Sequence, residues 1–395
     1  MTGLSIGIDA TTWWNKRGFG RFTRSLVGAM LSAPRGHHFT LFIDRPPEPE
    51  MMRANVSIVQ VDTSATVTEA ATAGGSRRLT DLLAFRRAVS AVSLDVFWFP
   101  AVYSWYPTGG RAPVAITFHD AIAEHYSSLV LPHWRGRLLW NAKTWLARRS
   151  ARCILTVSEA ARDEIVDYLH VARSSISVVL EAADECFALV AEPALRAAAR
   201  AELGLPVQGR YLLYVGGIAP HKNLLGLVEG FAQAIGDMSA NDLHLVIAGD
   251  PKGDGFHTNT AALYAMAESG VLAGRVHFPG FVPEALLPAL YSDALAVVMP
   301  AFSEGFGLPA IESIACGTPV LATADGAVSE VVGPAGLFFD PRDPADIART
   351  IRAVAGDRVL EAALRAACRP RAASMSWPRS AAAMLDLLET CAEQD

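Results

Sequence analysis

The chain has 395 residues, 51% of them apolar and 19% charged, with a formal net charge of −6 and a pI near 5.9. That length and apolar content can fill two cores, and the acidic balance excludes the global basic field that would point to nucleic acid. Five cysteines, at 153, 186, 316, 368 and 391, form no C-x-x-C pair and no cluster, which argues against a zinc site or disulfide framework and suits a reducing cytoplasm.

The opening MTGLSIGIDATTWW has no basic segment followed by a long apolar run, and no stretch nears the ~18 residues of a membrane span. Neither a signal peptide nor a spanning helix is expected. Residues 4–9, LSIGID, read as a buried strand ending at Asp9. A loop carrying Arg17, Gly18, Phe19, Gly20 and Arg21 then leads into a helix expected from Phe22 to Leu31. Strand, glycine loop and helix make the opening unit of a doubly wound domain, with the loop at the carboxyl edge, where ligands bind. On its own the loop reads equally well as a tight turn.

HFTLFID (38–44) and VSIVQVD (56–62) read as the next strands, and the small, polar residues 63–78 as a mobile loop. LTDLLAFRRAVSAV has helical spacing, and DVFWFP (95–100) reads as another buried strand. APVAITFHD (112–120) is a strand that delivers His119 and Asp120 to its C-terminal end. A lone histidine there is more often a structural hydrogen-bonding residue than a ligand contact.

From Tyr126 to Cys153 there is no acidic residue, yet the segment carries Arg135, Arg137, Lys143, Arg148, Arg149 and Arg152 with Trp134, Trp140 and Trp145. The plainer reading is a helix packed on the sheet with solvated arginines outward. The other is peripheral contact with an anionic membrane through 134–152. CILTVSEAARDEIVDYL (153–169) reads as strand, turn and helix with Ser158 as N-cap, and 175–184 closes the first sheet.

Residues 185–209 hold an Ala/Arg/Glu-rich helix and the turn GLPVQG, a natural crossing between domains. Strand, glycine turn and helix restart at 211–235, where Lys222 follows Pro220 and His221. A cation there can reach a diphosphate and stabilise the charge that builds on a leaving nucleotide. LHLVIAGD (243–250) and VHFPGFV (276–282) are strands ending in glycine turns, and ALAVVMPA (294–301) is a buried strand.

That strand leads to FSEGFGLPAIESIACGTP (302–319), where Glu304 and Glu312 bracket a glycine turn and a helix start. Gly305 and Gly307 let the backbone bend close to a ligand, Pro309 suits a first helical turn, and Gly317 fits a left-handed cap. The helix start favours a phosphate, while carboxylates on either side suit neutral hydroxyls that donate to them. A nucleotide sugar, with a diphosphate between two polyols, satisfies all three elements.

The string resembles the signature of the retaining glycosyltransferases of family 4, whose E-x7-E motif appears here as Glu304 and Glu312 with the EGFGLP core. The resemblance implies the α/β GT-B fold: two facing doubly wound Rossmann-like domains with an interdomain cleft. The domains would be 1–185, with a helix at about 377–395 packing back on it, and 207–376. It implies catalytic roles for His119, which would contact the donor sugar, for Lys222, and for Glu304, which would hold hydroxyls of the transferred sugar. Donor binding would add Gly18, Gly20, Gly217, His221, Gly249, Phe281, Gly305, Phe306, Gly307 and Leu308, with Glu312 on the ribose.

By the same resemblance the reaction is hexosyl transfer with retention, without metal or cofactor; no residue stands out as a nucleophile, so front-face substitution is expected. The donor would be GDP-mannose or a UDP- or dTDP-hexose, and the acceptor a hydroxyl of a saccharide, lipid-linked glycan or small molecule. The likeness is strongest to bacterial mannosyl- and rhamnosyltransferases, and the expected location is cytoplasmic or peripheral at the inner face of the membrane. Two departures stand out. Val215-Gly216-Gly217 lacks the family's arginine, for which His221, Arg17 or Arg21 would substitute, and Glu181-Ala182-Ala183-Asp184 replaces an Asn-Gly-Val-Asp turn. A nucleotide-sugar epimerase or hydrolase of the same fold, and a catalytically silent binding subunit, are the alternatives; the last would be expected to lose some of His119, Lys222, Glu304 and Glu312.

Overall fold

A computed structural model describes residues 3–15, 18–64, 78–131, 133–236, 242–250 and 260–393. The short apolar runs form strands, every pair of them parallel. Parallel strands joined by helices are covered on both faces, which is why these runs are continuously apolar rather than alternating. The chain divides into two units. One comprises Met1–Ser127, Leu131–Glu181 and Ser376–Asp395, and the other Ser128–Val130 and Ala182–Met375.

The first unit holds β1 (Ser5–Asp9), β2 (His38–Ile43), β3 (Val56–Gln60), β4 (Val96–Phe99), β5 (Val114–Thr117), β6 (Cys153–Thr156) and β7 (Ile176–Val178), in the order β3-β2-β1-β4-β5-β6-β7. All four residues of β4 and of β5 are buried. Phe97, Phe99, Ile116 and Ile154 join Phe85 and Tyr106 in the core on one face. The second unit holds β8 (Arg210–Val215), β9 (Leu243–Ala248), β10 (Val276–Gly280), β11 (Ala296–Met299), β12 (Val320–Thr323) and β13 (Gly336–Phe339), in the order β10-β9-β8-β11-β12-β13. Each unit is thus a doubly wound Rossmann-like sheet.

Helix ends follow local chemistry. Ser158 Oγ accepts from the Ala161 amide at 3.0 Å and starts the Glu159–Leu169 helix as its N-cap. Gly317, at φ 78°, ends the Leu308–Ala315 helix as the left-handed cap, with its amide on the Ile314 carbonyl. The first helix corrects the sequence expectation. It runs Gly18–Ser32, so Gly18 and Gly20 lie in helix rather than in a loop before Phe22. A Cβ on Gly20 would lie 1.8 Å from the Asn15 carbonyl oxygen, so the residue is small because the entering backbone crosses it.

The Pro193–Glu202 helix, expected in a crossing segment, belongs to the second unit. Arg200 ties it there, pairing with Asp293 and donating to the carbonyls of Pro206 at 3.0 Å and Gly209 at 2.9 Å. The expected mobile loop at 63–78 lies almost wholly outside the described residues.

The closing helix, Trp377–Glu393, packs on Gly18–Ser32 in the first unit. Trp377, 7% exposed, meets Phe22 edge-on at 6.3 Å, and Ser380 Oγ donates to the Leu180 carbonyl at 2.5 Å. Replacing a buried tryptophan removes its transfer energy and leaves a cavity. Trp377→Ala is therefore expected to destabilise the first unit by about 3 kcal/mol, read as a lower urea midpoint.

Candidate functional site

In the second sheet the strand order reverses between β8 and β11, which are hydrogen-bonded neighbours. Ligands of open parallel sheets bind at the carboxyl edge of such a reversal, because the two following loops diverge there. Here those loops carry Lys222 and Glu304. Lys222 ends a single turn of 3-10 helix, Pro220–Lys222, and Asn223 follows in the left-handed region at φ 54°. The Phe302 amide donates to the His221 carbonyl at 3.0 Å, which ties the loop after β11 to the loop after β8.

Across that tie Lys222 Nζ donates to Glu304 Oε1 at 2.6 Å, with side chains 20% and 15% exposed. A third loop joins them. Asn223 Nδ2 donates to the Pro341 carbonyl at 2.6 Å, and the next residue, Arg342, holds its guanidinium 5.9 Å from the centre of the Phe302 ring. Arg342 was not anticipated from the sequence. Its only signal there is its place in the loop after β13, on the same edge.

The Leu308–Ala315 helix opens beside Glu304. Gly307 takes φ 93°, a conformation that a side chain would strain, and a Cβ there would press on Val328 Cγ2 at 3.0 Å. Phe306 and Leu308 are buried and brace the turn from beneath. Gly305 and Gly307 are buried as well, so the turn as a whole is packed against its neighbours.

Glu312 differs from the expectation. It is 0% exposed, and the Tyr291 hydroxyl donates to its Oε2 at 2.9 Å. Its carboxylate is engaged with the Leu287–Asp293 helix instead of standing open to a ribose. The two acids of the motif thus occupy different environments, one at the edge and one inside.

Burial, with Lys222 alongside, pushes the His221 pKa down to about 3, so the ring is neutral near pH 7. Of the other residues considered for the charge of the missing arginine, Arg17 lies outside the described residues and Arg21 belongs to the first unit's Gly18–Ser32 helix. Gly217 receives the Tyr214 hydroxyl on its carbonyl at 2.7 Å. Gly249, after β9, is glycine for close approach: a Cβ would lie 2.2 Å from the Gly216 carbonyl oxygen. Phe281, after β10, is 61% exposed at the outer end of the same edge.

In the first unit His119 lies two residues beyond β5 and is 6% exposed. Its Nε2 donates to the Pro100 carbonyl at 2.9 Å, since a carbonyl only accepts, and Nδ1 lies 3.4 Å from Glu181 Oε1. Phe19 and Phe22 meet its ring edge-on at 4.9 and 4.6 Å. Nε2 is thus given to the protein, while Nδ1 lies beside the Glu181 carboxylate. Glu181, which occupies the place of the family's asparagine, is the partner that sequence reasoning did not assign. Asp120 caps the following turn, accepting from the Ile122 amide at 3.0 Å.

Residues 196–375 match the family model described as Glycosyl transferases group 1, and residues 17–184 match that described as Glycosyltransferase Family 4. The chain is 34% identical over 194 residues to the O-antigen chain mannosyltransferase B of Escherichia coli, covering 49% of each chain. It is 30% identical over 306 residues to a D-inositol 3-phosphate glycosyltransferase of Frankia alni, covering 73% of each. The chain spans about half the length of most such curated relatives, from 44% to 73%. Its fold is similar to that of Anabaena HepE, solved in complex with UDP and glucose, with a TM-score of 0.74 at 16% identity over 98% of this chain and 100% of that one.

The state of His221 has a measurable consequence. The unfolded chain takes up a proton on this ring near its ordinary pKa of 6.5, whereas the folded chain does so only near 3. Stability from the neutral, enclosed ring is present in full above pH 6.5 and is lost progressively as pH falls towards 3. His221→Gln should flatten that loss, checked by urea unfolding at a series of pH values from neutral to acid.

Proposed function

The chain belongs to the glycosyltransferases of family 4, and on that premise we propose that it moves a hexosyl group from a nucleotide-diphosphate sugar to an acceptor hydroxyl with retention of configuration. The observation that carries this reading is the Lys222–Glu304 pair, 2.6 Å apart at the strand reversal and beside a helix start. A cation and a helix N-terminus suit a diphosphate, and a carboxylate suits sugar hydroxyls.

A diphosphate arriving at this edge competes with Glu304 for Lys222. Once the lysine turns to phosphate, the carboxylate is released to accept from the sugar. Lys222 then stabilises the charge that grows on the departing diphosphate. Arg342, on the loop tied to Lys222 through Asn223, supplies the second positive charge that the Val215-Gly216-Gly217 turn lacks. With these groups on the phosphates the reaction needs no divalent cation. Glu312 acts through Tyr291, holding the Leu308–Ala315 helix in place.

In the bond-changing step the acceptor oxygen attacks the anomeric carbon on the face the diphosphate leaves. The anomeric C–O bond breaks, its electrons go to the phosphate oxygen, and that oxygen takes the acceptor's proton. The E. coli relative is named for mannosyl transfer, the Frankia relative for inositol 3-phosphate, and HepE was solved with UDP and glucose. GDP-mannose and UDP- or dTDP-hexoses are accordingly the donors to try first. Polyol, saccharide and lipid-linked acceptors complete the panel.

Incubation with labelled donor tests the reading directly. Transfer that requires an acceptor supports it, whereas conversion of donor alone, or binding without turnover, overturns it. Lys222→Ala is expected to lower kcat by roughly a hundredfold or more, the scale of removing one preorganised charge partner. Arg342→Ala should cost about tenfold, the scale of one hydrogen bond to a charged group. A chelator should leave wild-type turnover unchanged.

A further inference from the structure

The Trp134–Ser150 helix of the first unit is fastened by Trp140, Thr144 and Ala147 and turns most of its other large apolar residues outward. Thr144 and Ala147 are buried. Trp140 Nε1 donates to Glu124 Oε1 at 2.7 Å, and Lys143 Nζ donates to the Tyr103 carbonyl at 2.6 Å. That burial pushes the Glu124 carboxyl up to about 7. On the other side Trp134 is 64% exposed, Leu138 60%, Leu139 70%, Trp145 48% and Leu146 47%. Residues 134, 138 and 145 form one row along the helix and 139 and 146 a second about 100° round its axis, with Arg135 and Arg149 in the row between them. Large apolar groups gathered on one exposed face mark a surface that another phase or partner covers.

Charge decides what covers it. The 17 residues carry Arg135, Arg137, Lys143, Arg148 and Arg149 and no acid, in a chain whose net charge is −6. Two guanidiniums flank the exposed tryptophans, Arg135 at 5.4 Å from the Trp134 ring centre and Arg149 at 5.0 Å from that of Trp145. A second copy of this face would set like charge against like. Arginine beside tryptophan over a row of leucines instead fits an anionic bilayer, with rings at the headgroup level and guanidiniums on lipid phosphates.

We propose that this helix is the face by which the protein docks on anionic lipid, with Leu138, Leu139 and Leu146 entering the boundary between headgroups and acyl chains. The inference stands apart from the transfer reaction, because vesicle binding is measured without donor or acceptor. The full chain is sedimented with phosphatidylcholine vesicles and with vesicles containing about 30% phosphatidylglycerol, at low and high salt. Binding at least about tenfold tighter to the anionic vesicles, and lost at high salt, is expected.

Each basic residue at such a surface is worth about fivefold, so Arg135→Glu with Arg149→Glu should abolish recovery with vesicles. Leu138→Ser with Leu139→Ser should weaken it about tenfold or more, and both variants should keep the wild-type melting temperature. Equal recovery with neutral and anionic vesicles would overturn the proposal. So would variants that bind as the wild type does, or a lipid-free dimer that the leucine variant dissociates.

Discussion

Lys222 and Glu304 lie far apart in the chain and meet because β8 and β11 are neighbours whose loops leave the same edge. A largely buried ion pair of this kind, its side chains 20% and 15% exposed, adds little net stability, because desolvation of both charges offsets much of their attraction. That weakness is useful at a binding edge. A fully enclosed pair would resist separation, whereas this one can exchange partners when a better anion and a better set of donors arrive. The tie from the Phe302 amide to the His221 carbonyl holds the two loops in register while the side chains exchange.

The rest of the edge is arranged around main chain rather than side chain. Gly249 admits the Gly216 carbonyl, and Gly307 takes a backbone angle that opens the helix beside Glu304. Phe306 and Leu308 give their side chains to the interior, and the glycines between and before them are buried with them, so rigidity here comes from packing of the whole turn.

Strands and most helices were legible because their signals are local. A four- to six-residue apolar run bounded by turns is a buried parallel strand, and Ser158 and Gly317 mark helix ends by their own chemistry. The E-x7-E string was legible for the same reason, being contiguous. What was not legible depends on partners brought from elsewhere. Tyr291 draws Glu312 inside, Pro100 and Glu181 meet the His119 ring, and the loop after β13 supplies Arg342. Gly18 and Gly20 misled because glycine disfavours helix, while the crossing of Asn15 over Gly20 demanded it within one.

The chain's return to the first unit through Trp377–Glu393 makes the second unit an insertion, both of whose ends join the same body. A hybrid that borrows another protein's second unit must consequently be joined at two seams, after Glu181 and before Ser376. A single crossover between them would marry the sheet of one parent to the last helix of the other, and Phe22 would face a tryptophan it had not been shaped to meet.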